Sequence, residues 1–266
     1  MDNAELIAHA CNIRRSILEA GHKAGAMHFG GSLSVVEILA FLYGEEMRYN
    51  VTDPERCDLD RLIVSKGHCG LGLYAALNEF GVITKDQLLT VGVNGGDFPP
   101  QLMRNPRYGI EMSSGSLGLG LSFAIGQAIS LTHSNVFALV GNGEANEGSF
   151  WEAVMFAGAK KCENLCVILD DNRLQLDGES TAVMPIDNWA ERFAAFGWTV
   201  AEADGHNFDS LRSAFKTSRQ GSPLVVVANT VKGKGVLFME NVPGWHHGKM
   251  TEEQYRQALT ENGGVQ

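Results

Sequence analysis

The stretch that decides the fold is residues 135–178, NVFALVGNGEANEGSFWEAVMFAGAKKCENLCVILDDNRLQLDG. Two apolar runs, residues 137–140 and 165–169, predict strands, and the segment between them is long enough for a helix. Strands joined by a helical crossover lie parallel in one sheet, so their carboxyl ends meet at the same edge. We therefore expect Asn142 and Asn172 to lie close together, at the edge where α/β folds bind ligands.

The residues at this expected edge suit a magnesium ion bound together with a diphosphate. Side-chain oxygens are ligands that Mg²⁺ combines with phosphate oxygens. Gly141 and Gly143 flank Asn142, and glycine lets the backbone come close to a phosphate. A helix that begins near Gly148 would add the favourable field of its N-terminus. The same residues also fit a plain turn in which asparagine is present for its backbone conformation.

The rest of the sequence alternates between patterns typical of helices and of strands. Apolar spacing predicts helices at residues 4–20, 35–43, 71–80, 116–131, 189–196 and 208–217. Short apolar runs predict strands at residues 60–65, 199–201 and 224–228. Residues 91–109 contain several prolines and glycines, which predicts an irregular segment. This alternation is typical of a doubly wound parallel sheet flanked by helices.

Composition excludes several classes of function. The net charge is −10, and no cluster of Lys and Arg is longer than two, which argues against nucleic acid or an anionic membrane as a partner. No run of 18 apolar residues predicts a membrane span, and no secretion signal is recognisable at the N-terminus. The five cysteines include no Cys-x-x-Cys pair, which indicates reduced thiols in a cytoplasmic protein.

The pattern in residues 135–178 resembles the Gly-Asp-Gly … Asn motif of thiamine-diphosphate enzymes, and of transketolase in particular. Residues 143–153 and 171–178 resemble transketolase segments in the right order and at the right separation. The resemblance implies an α/β fold with a doubly wound, mostly parallel sheet, forming a single cofactor-binding domain over residues 1–266. It also implies that the chain binds thiamine diphosphate with Mg²⁺, or with Ca²⁺ or Mn²⁺ instead.

The resemblance further implies which residues hold the cofactor. The implied metal ligands are the side-chain oxygens of Asn142 and Asn172 and the backbone carbonyl of Leu174. The implied cofactor contacts are His68, Gly115, Leu117, Gly141, Asn142, Gly143, Glu144 and Asn172. The family ordinarily has aspartate where this chain has Asn142, so we expect weaker metal binding. The alternative for the Ser- and Gly-rich residues 113–120 is that they only mark the start of a helix.

Three histidines match active-site positions of the family, namely His28, His68 and His247. Their near-neutral pKa suits groups that donate, accept or shuttle protons as sugar hydroxyls react. We expect all three to be catalytic and His28 and His247 to bind substrate. A lone histidine is more often structural, but each of these stands near a glycine that admits a ligand. His246 could be confused with His247 by a slip of one residue.

The resemblance also gives expectations for Gln101, Glu147, Lys232 and Lys234. Gln101 stands where family members commonly have a histidine; it can bind a hydroxyl but cannot take up a proton, so an altered sugar substrate is expected. Glu147 matches a glutamate that links two cofactor sites across a subunit interface, and its alternative is a carboxylate at a helix start. Lys232 and Lys234 match the entrance of the active site, and their alternative is a solvated loop.

A complete transketolase also has a pyrimidine-binding domain and a C-terminal domain, which we expect on a separate chain. The resemblance thus implies the N-terminal subunit of a split transketolase, assembled as α2β2 and inactive alone. Such an enzyme moves a two-carbon ketol unit from a ketose, with a phosphorylated one expected, to an aldose. One alternative is another thiamine-diphosphate enzyme, such as a deoxyxylulose-phosphate-synthase-like or specialised acyl or ketol transferase. A second is a non-catalytic, stabilising subunit.

Overall fold

The computed structural model describes residues 1–186 and 188–263. Its centre is a five-stranded sheet with the strand order β1-β2-β3-β5-β4, in which all neighbouring strands are parallel. The strands are β1 (Arg61–Val64), β2 (Val136–Gly141), β3 (Leu165–Asp171), β4 (Thr199–Asp204) and β5 (Leu224–Asn229). The predicted parallel α/β sheet is confirmed.

Helices cover both faces of this sheet. In chain order they are α1 (Asn3–Ala24), α2 (Phe29–Leu33), α3 (Val36–Phe41), α4 (Gly70–Glu79), α5 (Lys85–Leu88), α6 (Leu119–Ser130), α7 (Gly148–Lys160), α8 (Ser180–Val183), α9 (Trp189–Ala195), α10 (Phe208–Phe215) and α11 (Glu252–Glu261). Helices α6, α7 and α9 pack on one face, and α1 to α5 with α10 and α11 pack on the other.

Strand β2 shows how the sequence builds two cores from one sheet. Its side chains alternate between the faces, so Phe137 and Leu139 join one core while Ala138 and Val140 join the other. Every residue of β2 is buried. A strand covered on both faces reads as a continuous apolar run, which is why this segment lacks polar alternation.

The register of β2 and β3 fixes the edge at which the polar residues emerge. Gly141 pairs with Asp170 at the carboxyl end of the two strands. Asn142 and Asn172 follow directly, and the backbone N–H of Asn142 donates to the carbonyl of Asp170 over 3.2 Å. The predicted meeting of the two asparagines at one sheet edge is therefore confirmed.

Some predicted boundaries differ from the structure. Helix α6 begins at Leu119 rather than at residue 116, because Gly115 and Gly118 have φ values of 139° and 84° that a right-handed helix cannot accommodate. Strand β4 continues to Asp204 instead of ending at residue 201. Residues 91–109 are irregular as predicted, with a single 3₁₀ turn at Pro106–Tyr108. Over residues 1–186 and 188–263, no helix combines the length and apolarity needed to cross a membrane.

Away from the sheet edge, Glu37 of α3 ties three parts of the fold together. Its buried carboxylate accepts from the Arg14 guanidinium of α1 and from Nδ1 of His206, the latter over 2.8 Å. The His206 ring donates through Nδ1 because its Nε2 accepts from the backbone N–H of Val231. Burial opposes the charged form of Glu37, but His206 and Arg14 outweigh it and lower its pKa to about 2.

We expect Glu37→Gln to destabilise the protein at pH 6, because the buried Arg14 loses its charged partner. The folded-state pKa of Glu37 is lowered from 4.5 to about 2, so its contribution is present above pH 4.5 and is lost as the pH falls through about 2. The difference in free energy of unfolding between wild type and variant should therefore shrink across this interval. Urea unfolding at several pH values measures it, and a constant difference would contradict the role of Glu37.

Candidate active site

A cavity of about 500 Å³ opens at the carboxyl ends of β2 and β3. It contains most of the residues that the sequence singles out. Those that line it are His68, Leu117, Gly141, Asn142, Gly143, Glu144, Glu147, Asn172 and Leu174. A larger cavity of about 750 Å³ adjoins it beyond Asn172 and Leu174, and none of the active-site histidines lines that one. Most of the residues predicted from the sequence therefore lie around one cavity.

Both asparagine amides are held by hydrogen bonds. Asn142 is only 2% exposed, and its Nδ2 donates to Oγ of Ser180 over 2.6 Å. Asn172 donates through Nδ2 to Asp170 Oδ2 over 2.8 Å, and its Oδ1 accepts from the backbone N–H of Leu174 over 3.1 Å. Each amide thus uses its nitrogen for the protein, and the oxygen of Asn172 keeps a second lone pair.

Asp170, at the end of β3, is the centre of the network beneath the cavity. Its carboxylate is 0% exposed and accepts from the ammonium of Lys66, from the hydroxyls of Ser34 and Thr230, and from Asn172. Burial raises the pKa of Asp170, but the charge of Lys66 and these hydrogen bonds outweigh burial and lower it. The pKa of Lys66 is raised in turn, since Asp170 outweighs desolvation. The pair is therefore charged, and sequence reasoning missed it.

Glu144, predicted as a cofactor contact, also connects two loops at the cavity floor. Its buried carboxylate accepts from the Ser65 hydroxyl and from the backbone N–H groups of Gly118 and Gly141, over 3.0 and 3.2 Å respectively. Burial raises its pKa, with these hydrogen bonds acting in the opposite direction. Glu144 therefore fixes the loop that leads into α6 against the end of β2, whatever else it contacts.

The predicted histidines meet at the mouth of the cavity, and His246 joins them. The ring of His28 lies 5.6 Å from that of His68, 5.5 Å from that of His246 and 4.6 Å from that of His247, centroid to centroid. His68 and His246 lie 5.0 Å apart and both line the cavity, whereas His247 is exposed. The sequence motif favours His247 over the adjacent His246, but the structure brings both rings to the cluster.

Lys232 is buried beside this cluster rather than solvated. It is 2% exposed, and its Nζ donates to Nδ1 of His246 over 3.0 Å and lies 3.3 and 3.5 Å from the carbonyl oxygens of Gln175 and Leu174. Burial and the nearby Lys66 lower its pKa to about 8. The alternative of a solvated loop is therefore wrong for Lys232. Lys234 is more exposed and lies 3.4 Å from Glu240.

The environment keeps the imidazoles of His28, His68 and His246 neutral. Burial, followed by nearby histidine and lysine groups, lowers the pKa of both His28 and His246 to about 4. The pKa of His68 lies well below its usual value, for burial first and then for the charge of Lys66. At neutral pH the positive charge of the site therefore resides on the lysines. The histidines can donate and accept hydrogen bonds without repelling a cation.

Unpaired buried atoms test whether the site fits a diphosphate with a metal ion. Over residues 1–186 and 188–263, Nε2 of Gln175 and Nδ1 of His28 are buried without a hydrogen-bond partner, and Gln175 lines the cavity. Buried polar groups normally have partners, so these two atoms are available to bind a polar ligand. In the same described ranges, no three His, Cys, Asp or Glu side chains form a metal-binding group. A cation here would rely on amide and carbonyl oxygens, which the protein supplies, together with phosphate oxygens of the cofactor.

Several predicted residues lie at the margin. Gly115 and Gln101 are both exposed and adjacent, with Gln101 Oε1 lying 3.7 Å from where a Cβ on Gly115 would stand. Neither lines the cavity. Glu147 is exposed at the start of α7 and lies at the cavity rim. These residues face outward, where a second chain or a substrate can reach them.

Comparison with known proteins identifies the relatives of this chain. A family profile described as the transketolase thiamine diphosphate binding domain matches residues 7–265. The chain is 38% identical to a 6-deoxy-6-sulfo-D-fructose transketolase subunit of Clostridium sp. (strain MSTE9), covering 96% of this chain and 95% of that one. It is 37% identical to one subunit of an apulose-4-phosphate transketolase of Phocaeicola vulgatus, covering 93% and 90% respectively.

Solved structures of transketolases contain a domain with the same fold. The chain superposes on a transketolase from Campylobacter jejuni with a TM-score of 0.91 and 26% identity, covering 99% of this chain and 43% of that one. For a transketolase from Leishmania mexicana the TM-score is 0.90 with 26% identity, covering 97% and 41%. The chain thus spans about two fifths of these transketolases, but almost all of the curated subunits.

We expect Lys66→Met to lower the free energy of unfolding by about 3–5 kcal/mol, because it leaves the buried Asp170 carboxylate without its counter-charge. The matched control is the double variant Lys66→Met/Asp170→Asn, which removes both charges and should be destabilised less. Urea unfolding at pH 7 gives both values. A single variant as stable as the double variant would show that the ion pair does not hold this edge together.

Proposed function

The chain belongs to the transketolase thiamine-diphosphate-binding family, and on that premise we propose that it is the cofactor-binding subunit of a two-chain transketolase. The proposed reaction moves a two-carbon ketol unit from a ketose to an aldose. The observation that carries the proposal is a cavity lined by two amides, two buried lysines, His68 and His246, with His28 and His247 next to these histidines. The relatives named as transketolase subunits support the same activity.

Thiamine diphosphate fits this cavity with a divalent cation, for which we propose Mg²⁺, or Ca²⁺ or Mn²⁺ in its place. The proposed metal ligands are Oδ1 of Asn142, Oδ1 of Asn172 and the carbonyl of Leu174. When bound, the cofactor supplies the carbon nucleophile and electron sink that allow a C–C bond beside a ketone to break. Lys66 and Lys232 place positive charge at the cavity, which favours an anionic diphosphate.

The histidines provide the polar surface that meets the sugar. With a pKa of about 4, His28 and His246 are neutral at physiological pH and can orient hydroxyl groups by donating or accepting hydrogen bonds. We propose that His28, His68 and His247 act in catalysis and that His246 joins them. His28 and His247 would also bind substrate, and Gln101 would contact the sugar from the rim. An exposed His247 is suited to a substrate that enters from solvent.

A complementary chain is proposed to cover the apolar outer face of α6 and α7. The two helices pack together, yet this face exposes large apolar side chains, namely Leu119, Phe123, Ile129, Met155 and Phe156. Such a patch marks an interaction surface. One end of it lies near the cavity, since Leu117 lines the cavity and α6 begins two residues later. The chain that completes the cavity is therefore the proposed occupant, in an α2β2 assembly, with Glu147 at the interface.

The location of the protein is proposed from its thiols. All five cysteines are free, and Cys69, Cys162 and Cys166 are buried. Free cysteines are typical of proteins in a reducing compartment, so we propose that the protein acts in the cytoplasm.

We expect Asn142→Asp to tighten the binding of Mg²⁺ in the presence of thiamine diphosphate, by about 1–3 kcal/mol, because a charged oxygen replaces a neutral one. Isothermal titration calorimetry measures the change, with Asn142→Ala as the control that removes the oxygen and should weaken binding. Unchanged or weaker metal affinity in the Asn142→Asp variant would count against Asn142 as a ligand.

The function itself is tested by reconstitution. The chain is mixed with a candidate complementary chain of about 300 residues, sized for the pyrimidine-binding and C-terminal domains of a complete transketolase, together with thiamine diphosphate and Mg²⁺. We expect ketol transfer from ketose phosphates to aldoses by the mixture and none by the chain alone. Phe156→Glu charges the exposed face of α7 without touching the cavity, so it should prevent assembly and activity while leaving the thermal stability of the isolated chain unchanged.

Other results would select other functions. Activity with pyruvate but not with a ketose would indicate a deoxyxylulose-phosphate-synthase-like enzyme. A complex that assembles but binds neither thiamine diphosphate nor Mg²⁺ would indicate a stabilising subunit instead of a transketolase. Full activity of the Phe156→Glu variant would show that the partner chain binds elsewhere.

A further inference from the structure

We propose that Ser180 is a positioning residue that orients the amide of Asn142, so that its oxygen and not its nitrogen faces the cavity. The proposal rests on the metal–diphosphate site proposed above and concerns a residue outside it. Ser180 does not line the cavity. Its hydroxyl accepts a hydrogen bond of 2.6 Å from Nδ2 of Asn142.

Orientation matters for asparagine in a way that it does not for aspartate. A carboxylate presents two equivalent oxygens, whereas a primary amide presents one acceptor and one NH₂ donor. If the amide turns over, an NH₂ group faces the cation, and the ligand becomes a source of repulsion. The replacement of a carboxylate by Asn142 therefore creates a need for a group that fixes the amide.

The surroundings of Asn142 select one of the two orientations. The side chain is almost completely buried, so it cannot turn freely. Its Nδ2 is engaged by Ser180, and in residues 1–186 and 188–263 no donor engages its Oδ1. The cavity is lined by Lys66 and Lys232. An amide oxygen is favoured toward such positive charge, and an NH₂ group is not.

The backbone brings Ser180 to Asn142 through a closed loop. After Asn172 the chain turns at Arg173, which has a φ of 60° in the left-handed region. Leu174 then pairs with Glu179 in an antiparallel bridge, and the N–H of Ser180 donates to the carbonyl of Arg173 over 2.9 Å. The loop therefore begins at Asn172, one proposed metal ligand, and returns at Ser180 to contact Asn142, the other.

The second amide shows the same arrangement by independent contacts. Nδ2 of Asn172 donates to Asp170, which as a charged carboxylate can only accept, so the orientation of Asn172 is unambiguous. Both amides thus direct the nitrogen into the protein. Ser180 acts on Asn142 through a hydroxyl at the start of α8, which can either donate or accept. The lysines that line the cavity favour the amide oxygen on that side, and the hydroxyl then holds this orientation by accepting from Nδ2.

A double-mutant cycle tests the proposal with a readout that does not depend on activity. The affinity of the full chain for Mn²⁺ is measured by electron paramagnetic resonance titration in the presence of thiamine diphosphate. We expect Ser180→Ala to weaken Mn²⁺ binding about three- to tenfold, as for the loss of one hydrogen bond. In the Asn142→Asp background the same substitution should change the affinity less than twofold, since a carboxylate needs no orientation.

Control variants separate orientation from a general disturbance of the loop. Ser180→Thr keeps the hydroxyl and should retain wild-type affinity. Thr181→Ala changes the neighbouring exposed residue and should have no effect. The thermal melting of each variant without ligand should match that of the wild type.

Two results would overturn the proposal. An equal loss in the Asn142 and Asn142→Asp backgrounds would mean that Ser180 acts only on the loop. Unchanged or tighter binding in Ser180→Ala would mean that the amide is not held in this orientation. Failure of the folded wild type to bind Mn²⁺ with thiamine diphosphate, both alone and in complex with its complementary chain, would instead contradict the proposed cofactor site, and the orienting role would fall with it.

Discussion

The buried ion pair between Lys66 and Asp170 is the interaction on which the rest of the site depends. It joins the segment after β1 to the end of β3, and the same carboxylate binds Ser34 before α3 and Thr230 after β5. Burying two charges is costly unless hydrogen bonds satisfy them. Here Asp170 is surrounded by donors, among them the amide of Asn172. The pair therefore holds four segments of chain in register and orients one proposed metal ligand at the same time.

The distribution of charge follows from this framework. The buried lysines supply the positive charge, while burial and those lysines keep His28, His68 and His246 neutral. The side chains proposed to bind the cation are amides without charge. The charge of the site is therefore more positive than it would be with an aspartate at position 142. The site depends on the anionic diphosphate to balance the charge of the cation. This explains why the orientation of neutral groups, and not only their presence, becomes important.

Sequence patterns predicted the fold and the location of the site, but not the contacts that stabilise it. The apolar runs around residues 137–140 and 165–169 were sufficient to predict parallel strands and to bring Asn142 and Asn172 together. Lys66 and Asp170 are 104 positions apart, and no local pattern reports such a pairing. The sequence patterns also did not predict the four-residue helix α5 and the ten-residue helix α11, although capping boxes that begin at Thr84 and Thr251 mark them. His246 was passed over because adjacent histidines are equivalent in sequence, whereas the fold gives them different environments.

The central claim is that two amides and a backbone carbonyl at one sheet edge hold the metal ion of a diphosphate cofactor. A crystal of the chain grown with thiamine diphosphate and Mn²⁺, with data collected at the manganese absorption edge, tests it most directly. We predict an anomalous peak bound by Asn142, Asn172 and the carbonyl of Leu174, with the diphosphate beside Gly143. A manganese peak at other residues, with the cofactor present in the cavity, would contradict it.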